Sequence, residues 1–373
     1  MILEHYFKEH DLFNKEKLLQ HAETNLVHVI ESKKFPNVVM LHYRDEASYD
    51  KQWNVFNRMC RGLIVDLASQ TILAYPFDKF FNVGEMPEIS YETLVKEGEF
   101  EVTEKLDGSM LILFQDPNTN QFFFTTKGSF DSEHGEYATS ILPHQLKYEW
   151  VVRDYTLMFE LISKRFQIVI DYQKKGYEEG VYLIGARRRS SNTLLRYDEL
   201  KWLGDSLKLK TMKSYKFKTL DDVIEKTKTL PVLEEGYVLL FKETGKQVKI
   251  KGEEYLRVHR FLSHMSPKYI LEALGEGTAN DLIELAPEEY KEDVEVTTNY
   301  FKRKKIELVA QANDLFSKAP RDTRKEFAMW AQSSVPSHLK GFLFNLLDNK
   351  PLDDRKIYKL IGELENVTGE TKL

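Results

Sequence analysis

The sequence predicts an α+β body followed by an all-helical domain. Between Val38 and about Gly252 the chain breaks into short β-rich runs. After Tyr255 that texture gives way to helix-spaced apolar positions. The length, 373 residues, exceeds what one compact core usually serves. Two domains are therefore expected, 1–254 and 255–373.

Residues 1–35 read as one or two amphipathic helices. The β-rich runs that follow are "VVMLHY", "RGLIVDL", "TILAYPF", "FEVTEKL", "SMLILF", "FFFTTKG", "YTLMFELI", "RFQIVIDY", "VYLIGARR", "EGYVLLF" and "KQVKIKG". Punctuation such as Asp116-Pro117-Asn118 separates many of them, as hairpins require. Helical patches interrupt at Ser132–Lys147 and Leu220–Lys228. In the tail, Phe301, Leu308, Ala312 and Leu315 make one helical stripe. Gly275-Glu276-Gly277, after "ILEAL", reads as a helix C-cap rather than a nucleotide loop. No internal repeat or low-complexity segment is visible.

Composition narrows the function. Hydrophobic residues at 42% suffice for packed cores, and the net charge of −6 gives no global attraction to polyanions, so any such site is a local patch. Cys60 is the only cysteine, which excludes an intramolecular disulfide and suits a reducing cytosol. The N-terminus lacks a signal-peptide core, and no apolar run approaches membrane-spanning length. A cytoplasmic protein with no membrane partner, and no protein partner implied, is expected.

There is no phosphate loop of the Gly-x-x-x-x-Gly-Lys-Ser/Thr type and no Cys/His set with zinc spacing. His259 and His264, five apart, do not share a helix face. What remains is a series of charges embedded in strands. Lys105 opens Lys-Leu-Asp-Gly-Ser, Glu160 interrupts "LMFELIS", and Glu235-Gly236 opens "EGYVLLF". Lys249 and Lys251 alternate in "VKIKG", which aims both at one face. Arg61, Lys79 and Lys127 lie upstream, in "RGLIVD", "FDKFFN" and "TTKG". Singly, each reads better as a solvated or paired strand charge. Together they are cations of the kind a triphosphate needs and acids of the kind a divalent metal needs. A lysine whose pKa is lowered by Lys249, Lys251 and a metal is a nucleophile for an α-phosphorus. The Asp107-Gly108 step is expected to be a turn that presents Lys105.

In order and type, Lys-x-Asp-Gly, a mid-chain strand Glu, Glu-Gly and Lys-x-Lys resemble the successive motifs of covalent nucleotidyltransferases. These are the DNA ligases, RNA ligases and mRNA capping enzymes. "MCRGLIVD", "PFDKFFNVGE", "TTKGSF", "FELISKRFQIVI" and "VKIKGEEYL" are similar to segments of the bacteriophage T4 RNA ligase 1 family, across most of residues 38–256. The resemblance implies an antiparallel-sheet nucleotidyltransferase (ATP-grasp-like ligase) domain and a helical C-terminal domain.

It also implies roles. Lys105 becomes AMP-linked. Arg61, Lys79, Lys127, Lys249 and Lys251 contact ATP phosphates or the adenylate. Tyr43 lies near the nucleotide, at a spacing that needs a one-residue insertion. Glu160 and Glu235 bind ribose or metal, the two roles not being separated. Gly108 and Gly236 allow close backbone approach to the nucleotide. Asp107, Phe81 and Tyr255 support the site, Phe81 reading more readily as core filler. Asp281 is a metal-linked acid in the helical domain, with Asn280 competing for that register. The implied cofactors are ATP and Mg²⁺, or Mn²⁺ in its place. The implied partners are single-stranded RNA or nicked tRNA ends, joined 5′-phosphate to 3′-hydroxyl in RNA repair during phage infection. "YFKRKKIE" reads equally as an RNA phosphate contact or a solvated helix face. The alternatives are a DNA ligase or capping-type enzyme, whose tail is normally an OB-fold, and a non-catalytic RNA-end binding protein.

Overall fold

A computed structural model describes residues 3–143, 146, 149–264, 266–286 and 288–367. It divides into two compact units, Met1–Leu256 and Arg257–Leu373. The first begins with α1 (Leu3–Glu9), α2 (Lys15–Thr24), β1 (Val27–Glu31), β2 (Val38–Tyr43), α3 (Asp45–Tyr49), α4 (Val55–Met59), β3 (Arg61–Asp66) and β4 (Thr71–Ala74). It continues through β5 (Phe81–Asn82), α5 (Tyr91–Leu94), β6 (Phe100–Glu104), β7 (Ser109–Gln115), β8 (Phe122–Thr126), α6 (Glu133–Ser140), α7 (Glu149–Asp154) and β9 (Tyr155–Ile162). Then come β10 (Gly180–Arg188), β11 (Thr193–Leu194), α8 (Tyr197–Ser206), β12 (Lys210–Thr211), β13 (Ser214–Tyr215), α9 (Leu220–Lys228), β14 (Gly236–Phe241) and β15 (Gln247–Lys251). α10 (Glu253–His264) begins in the first unit and ends in the second.

The strands form three sheets, ordered β1-β2-β3-β4, β11-β10-β9-β7-β8 with β12 beside β10, and β13-β6-β14-β15-β5. Pairing is antiparallel except for β10 with β12 and β15 with β5. Period-2 alternation lets the first sheet bury both faces. Val39, Leu41, Leu63 and Val65 pack with Leu3, Phe7 and Leu18 of α1 and α2. Val38, Met40 and Ile64 point the other way, onto Ile112 and Phe114 of β7. In the third sheet Val102, Leu239 and Val248 pack with Leu220 and Val223 of α9. That helix starts where Thr219 accepts from the Asp222 N–H in a capping box. Full burial of one such aliphatic side chain is worth about 1.5–3 kcal/mol.

Four local expectations are corrected. Residues 27–31 form strand β1 rather than helix, because the β-branched "VHVIE" pairs with β2 over its whole length. "RFQIVIDY" is not a strand. Its Val169 and Ile170 N–H groups donate to Asp107 Oδ2 at 3.0 and 3.1 Å, so they are not available to a sheet ladder. The helix expected over Ser132–Lys147 is Glu133–Ser140, and Lys147 lies outside the described residues. The Asp107-Gly108 step is a bend in a crossing rather than a turn: residues 105–108 carry the chain from β6 in the third sheet to β7 in the second. By contrast, Asp116-Pro117-Asn118 does close the β7–β8 hairpin, with Asp116 Oδ1 accepting from Asn118 N at 3.1 Å.

The second unit holds α11 (Pro267–Glu276), α12 (Ala279–Leu285), α13 (Glu288–Ser317), α14 (Arg324–Ser334), α15 (Ser337–Leu347) and α16 (Asp354–Leu364), and its described residues carry no strand. Phe301, Leu308 and Ala312 of α13 are buried in its core, with Leu315 packed beside them. Gly277, at φ 80°, caps α11. No described helix is long and apolar enough to cross a membrane.

Candidate active site

A cavity of about 530 Å³ lies between the second and third sheets. Arg61, Lys105, Lys127, Glu160 and Lys249 are among its charged lining residues, and Leu194, Leu195, Leu200, Met212 and Val238 are among its apolar ones. Lys105 stands where the chain crosses between the sheets. Its N–H donates to Gly236 O at 2.9 Å, tying the end of β6 to the start of β14. Its ammonium meets Glu235 Oε1 at 2.7 Å, and Lys251 Nζ reaches the same oxygen at 3.0 Å. Glu235 is 3% exposed, and its other oxygen, Oε2, is buried without a hydrogen-bond partner.

The remaining predicted cations gather nearby. Lys79 Nζ sits 5.1–5.4 Å from the ring centroids of Trp53, Phe81 and Tyr43. Phe80 lies between Arg61 and Lys249, its centroid 5.5 Å and 5.7 Å from their charged groups. Lys251 stacks on Tyr255 at 5.1 Å. Beneath Lys105, Asp107 Oδ1 accepts from the Tyr255 hydroxyl at 2.8 Å while Oδ2 holds Val169 and Ile170. Phe81 is both core and neighbour of Lys79, 4% exposed within the third-sheet cluster.

The two glycines are needed for close approach, but to the chain itself. A Cβ on Gly108 would stand 2.3 Å from Leu161 O. One on Gly236, at φ 142°, would stand 2.1 Å from Ile250 O. Asp281 is exposed on α12 of the second unit and is described there by itself. Among the described residues no group of three or more His, Cys, Asp or Glu is arranged to hold a metal.

Electrostatics correct the expected activation of Lys105. Burial pulls its pKa down, but Glu235 and then Glu160 outweigh it, and the net shift is upward. Glu160, 8% exposed, is itself pushed up to about 8, first by burial and then by Glu235 and Asp107 against the lowering charge of Lys105. It is largely protonated at neutral pH. The crowding falls on other cations. Lys249 is lowered to about 7 by burial and by Lys105, Lys79 and Lys251. Lys127 is lowered to about 8 by burial, Arg61 and Lys79. His42, half-buried, falls to about 3 through desolvation and the charges of Lys127 and Arg61, and stays neutral.

Sequence reading missed Phe77, Phe80, Thr126 and Met110, all of which line the cavity. Phe80 had a signal, its place beside Lys79 in "FDKFFN"; an isolated Met or Thr in a strand had none. Glu104 was also missed. It is 7% exposed and holds Lys175 Nζ at 2.7 Å and the Tyr177 hydroxyl at 2.6 Å.

Residues 59–256, more than half of the chain, match the model of the RNA ligase family of T4 type 1. The chain belongs to that family. It is 24% identical over 400 aligned positions to the RNA ligase of Rhodothermus phage RM378, covering 87% of each chain. It is 25% identical over 251 residues to a protein named as a bifunctional polynucleotide kinase/RNA ligase in Autographa californica nuclear polyhedrosis virus. That match covers 61% of this chain but only 35% of the viral protein. An archaeal ATP-dependent RNA ligase superposes with a TM-score of 0.51 at 13% identity, over 76% of this chain and 75% of the other. The fold is that of the nucleotidyltransferases, with a helical C-terminal region.

Proposed function

We propose that this chain is an ATP-dependent RNA ligase in which Lys105 is the nucleophile. The observation that carries the reading is the placement of the Lys105 amine. It is bonded to Glu235 and lines the cavity that Arg61, Lys127 and Lys249 also line. The apolar lining suits a purine, and the cations suit phosphates.

In the first step the Lys105 nitrogen bonds to the α-phosphorus of ATP and the bond to the β-phosphate oxygen breaks, releasing pyrophosphate. Lys105 starts protonated, and Glu235 at 2.7 Å is placed to take the proton that frees the lone pair; the second N–H proton, lost once the N–P bond has formed, leaves with pyrophosphate or to water. Arg61, Lys79, Lys127 and Lys249 balance the phosphate charge. The AMP then passes to an RNA 5′-phosphate, and a 3′-hydroxyl displaces it, sealing the strand. RNA is the substrate class that the family membership supports, and within it nicked tRNA ends are our reading.

Mg²⁺ or Mn²⁺ fits the donor set. Both take carboxylate oxygens, and the unpartnered Glu235 Oε2 and the neighbouring Glu160 supply them. Such an ion, when bound, neutralises charge on the phosphates and the leaving group. The DNA ligase and capping alternatives are disfavoured by the absence of strands from the described residues beyond Leu256.

The test is intact-protein mass after pyrophosphate treatment and incubation with ATP and Mg²⁺, beside GTP and Lys105→Ala. One added AMP that requires ATP and Lys105 is expected, followed by sealing of 5′-phosphorylated RNA. Absence of any adduct would overturn the reading.

A further inference from the structure

The stretch Tyr75–Phe80 supplies Phe77 and Phe80 to the cavity and Lys79 to the cation cluster, yet it belongs to no strand or helix. Something other than a ladder must fix it. Strand β10 does so at two points. Gly185 lies under the Phe77 ring, where a Cβ would meet Cζ at 2.2 Å and Cε1 at 2.6 Å. Two residues on, Arg187 is 6% exposed and reaches the same stretch. Its Nε and Nη2 donate to Pro76 O at 3.2 and 3.0 Å, and its guanidinium lies 3.9 Å from the Tyr75 ring centroid. Nη2 also stands 3.5 Å from Asp78 Oδ2, and Nη1 donates to Asn192 O at 2.7 Å.

Of the four residues that Arg187 contacts in this way, three lie in this irregular segment and the fourth is Asn192. Here the planar fork binds the carbonyl of residue 76, the ring of residue 75 and the carboxylate of residue 78, immediately before Lys79. Lys79 itself is fixed by its N–H, which donates to Arg58 O at 2.8 Å. The next fixed point upstream is the Arg187 fork.

Resting on the ligase reading, we propose that Arg187 is a positioning residue for nucleotide binding. It acts through the 75–80 stretch on Lys79 and Phe80, without touching the nucleotide. A lysine keeps the charge but loses the fork, so the effect depends on shape as well as charge.

The experiment compares Arg187→Met and Arg187→Lys with wild type, each alone and with Lys79→Ala. Two quantities are measured: amide hydrogen exchange over residues 76–80, and the ATP concentration for half-maximal single-turnover AMP transfer to Lys105. Arg187→Met should speed exchange over 76–80 about 10-fold or more, with β7 and β9 unchanged. It should raise the half-saturating ATP about 10-fold and change the saturated rate little. Arg187→Lys should recover only part of either effect, and in the Lys79→Ala background the added loss should fall below about 2-fold.

Unchanged exchange, an unchanged ATP requirement, or the same loss with and without Lys79 would overturn the proposal. If Arg187→Met does not fold, Arg187→Lys decides on the same readouts. Wild-type protein that takes no AMP would instead overturn the ligase reading. The exchange arm would then still decide whether Arg187 holds the stretch.

Discussion

Lys105 and Glu235 form an ion pair at 2.7 Å, and Lys251 shares the same carboxylate oxygen at 3.0 Å. The nucleophile we propose is thus held charged beside the carboxylate we propose as its proton acceptor. Glu235→Gln keeps the shape and removes the acceptor. We expect AMP transfer to slow by about 10²-fold or more. The check is single-turnover adduct formation at saturating ATP, with Lys105→Ala as the blank.

Lys249, lowered to about 7, and Lys127, lowered to about 8, should make nucleotide binding pH-dependent if they meet the phosphates as proposed. A bound triphosphate favours the charged forms, so above pH 7 binding takes up protons and affinity falls as pH rises. Titration calorimetry at pH 8 in two buffers of different ionisation heat should show uptake of up to about one proton at Lys249. Lys249→Met should weaken binding at pH 6 and flatten the dependence. The unliganded protein behaves oppositely. Its Lys249 releases a proton that the unfolded chain keeps up to about pH 10.4, so this group adds stability as pH rises above 7.

Glu160 has the reverse sign. With its pKa raised to about 8, the folded chain holds a proton that the unfolded chain loses near pH 4.5, so stability declines as pH rises through that interval. Glu160→Gln cannot ionise. Without divalent metal its melting temperature should match wild type near pH 4 and exceed it at pH 9, by about 2–4 °C per kcal/mol recovered. Divalent binding should displace the Glu160 proton. Metal affinity should therefore rise with pH up to about 8 in wild type and not in the variant, which differential scanning with and without Mg²⁺ reads.

Gly236 combines φ 142° with a backbone oxygen 2.1 Å from where a Cβ would stand. Gly236→Ala should cost about 2 kcal/mol or more in urea unfolding. Gly245, at φ 67° with open space around it, is the control. Alanine there should cost only about 1 kcal/mol. Equal losses would show that dihedral strain, not the strand contact, sets the price at Gly236.

Motif order and strand texture gave the broad architecture, because charged residues embedded in apolar strands stand out against a period-2 background. Lys105, Glu160 and Lys249 were legible for that reason, and they do line one cavity. What was not legible depends on long-range contacts. "RFQIVIDY" has strand composition, but a single carboxylate, Asp107, takes two of its N–H groups. The direction of the Lys105 shift was also hidden. Lysines near it in sequence pattern suggested lowering, while Glu235, brought in by the β6–β14 pairing, reverses the outcome. Arg187 carried no signal at all, since an arginine in "GARR" looks like any solvated strand end. In "YFKRKKIE", Lys304 and Lys305 pair with Glu365 and Asp354, acids some 50 to 60 residues away in sequence.

The contact of Gly108 with Leu161 O has a consequence for how the cavity tolerates change. Main chain, not side chain, limits how closely the 105–108 crossing and β9 approach there. On the ligase reading, repacking Leu194, Leu200 or Met212 should reshape the apolar lining without moving that crossing. Selectivity for the base and competence for the chemistry are then expected to be separable traits, and a library randomised at these apolar positions should change nucleotide preference far more readily than it abolishes turnover.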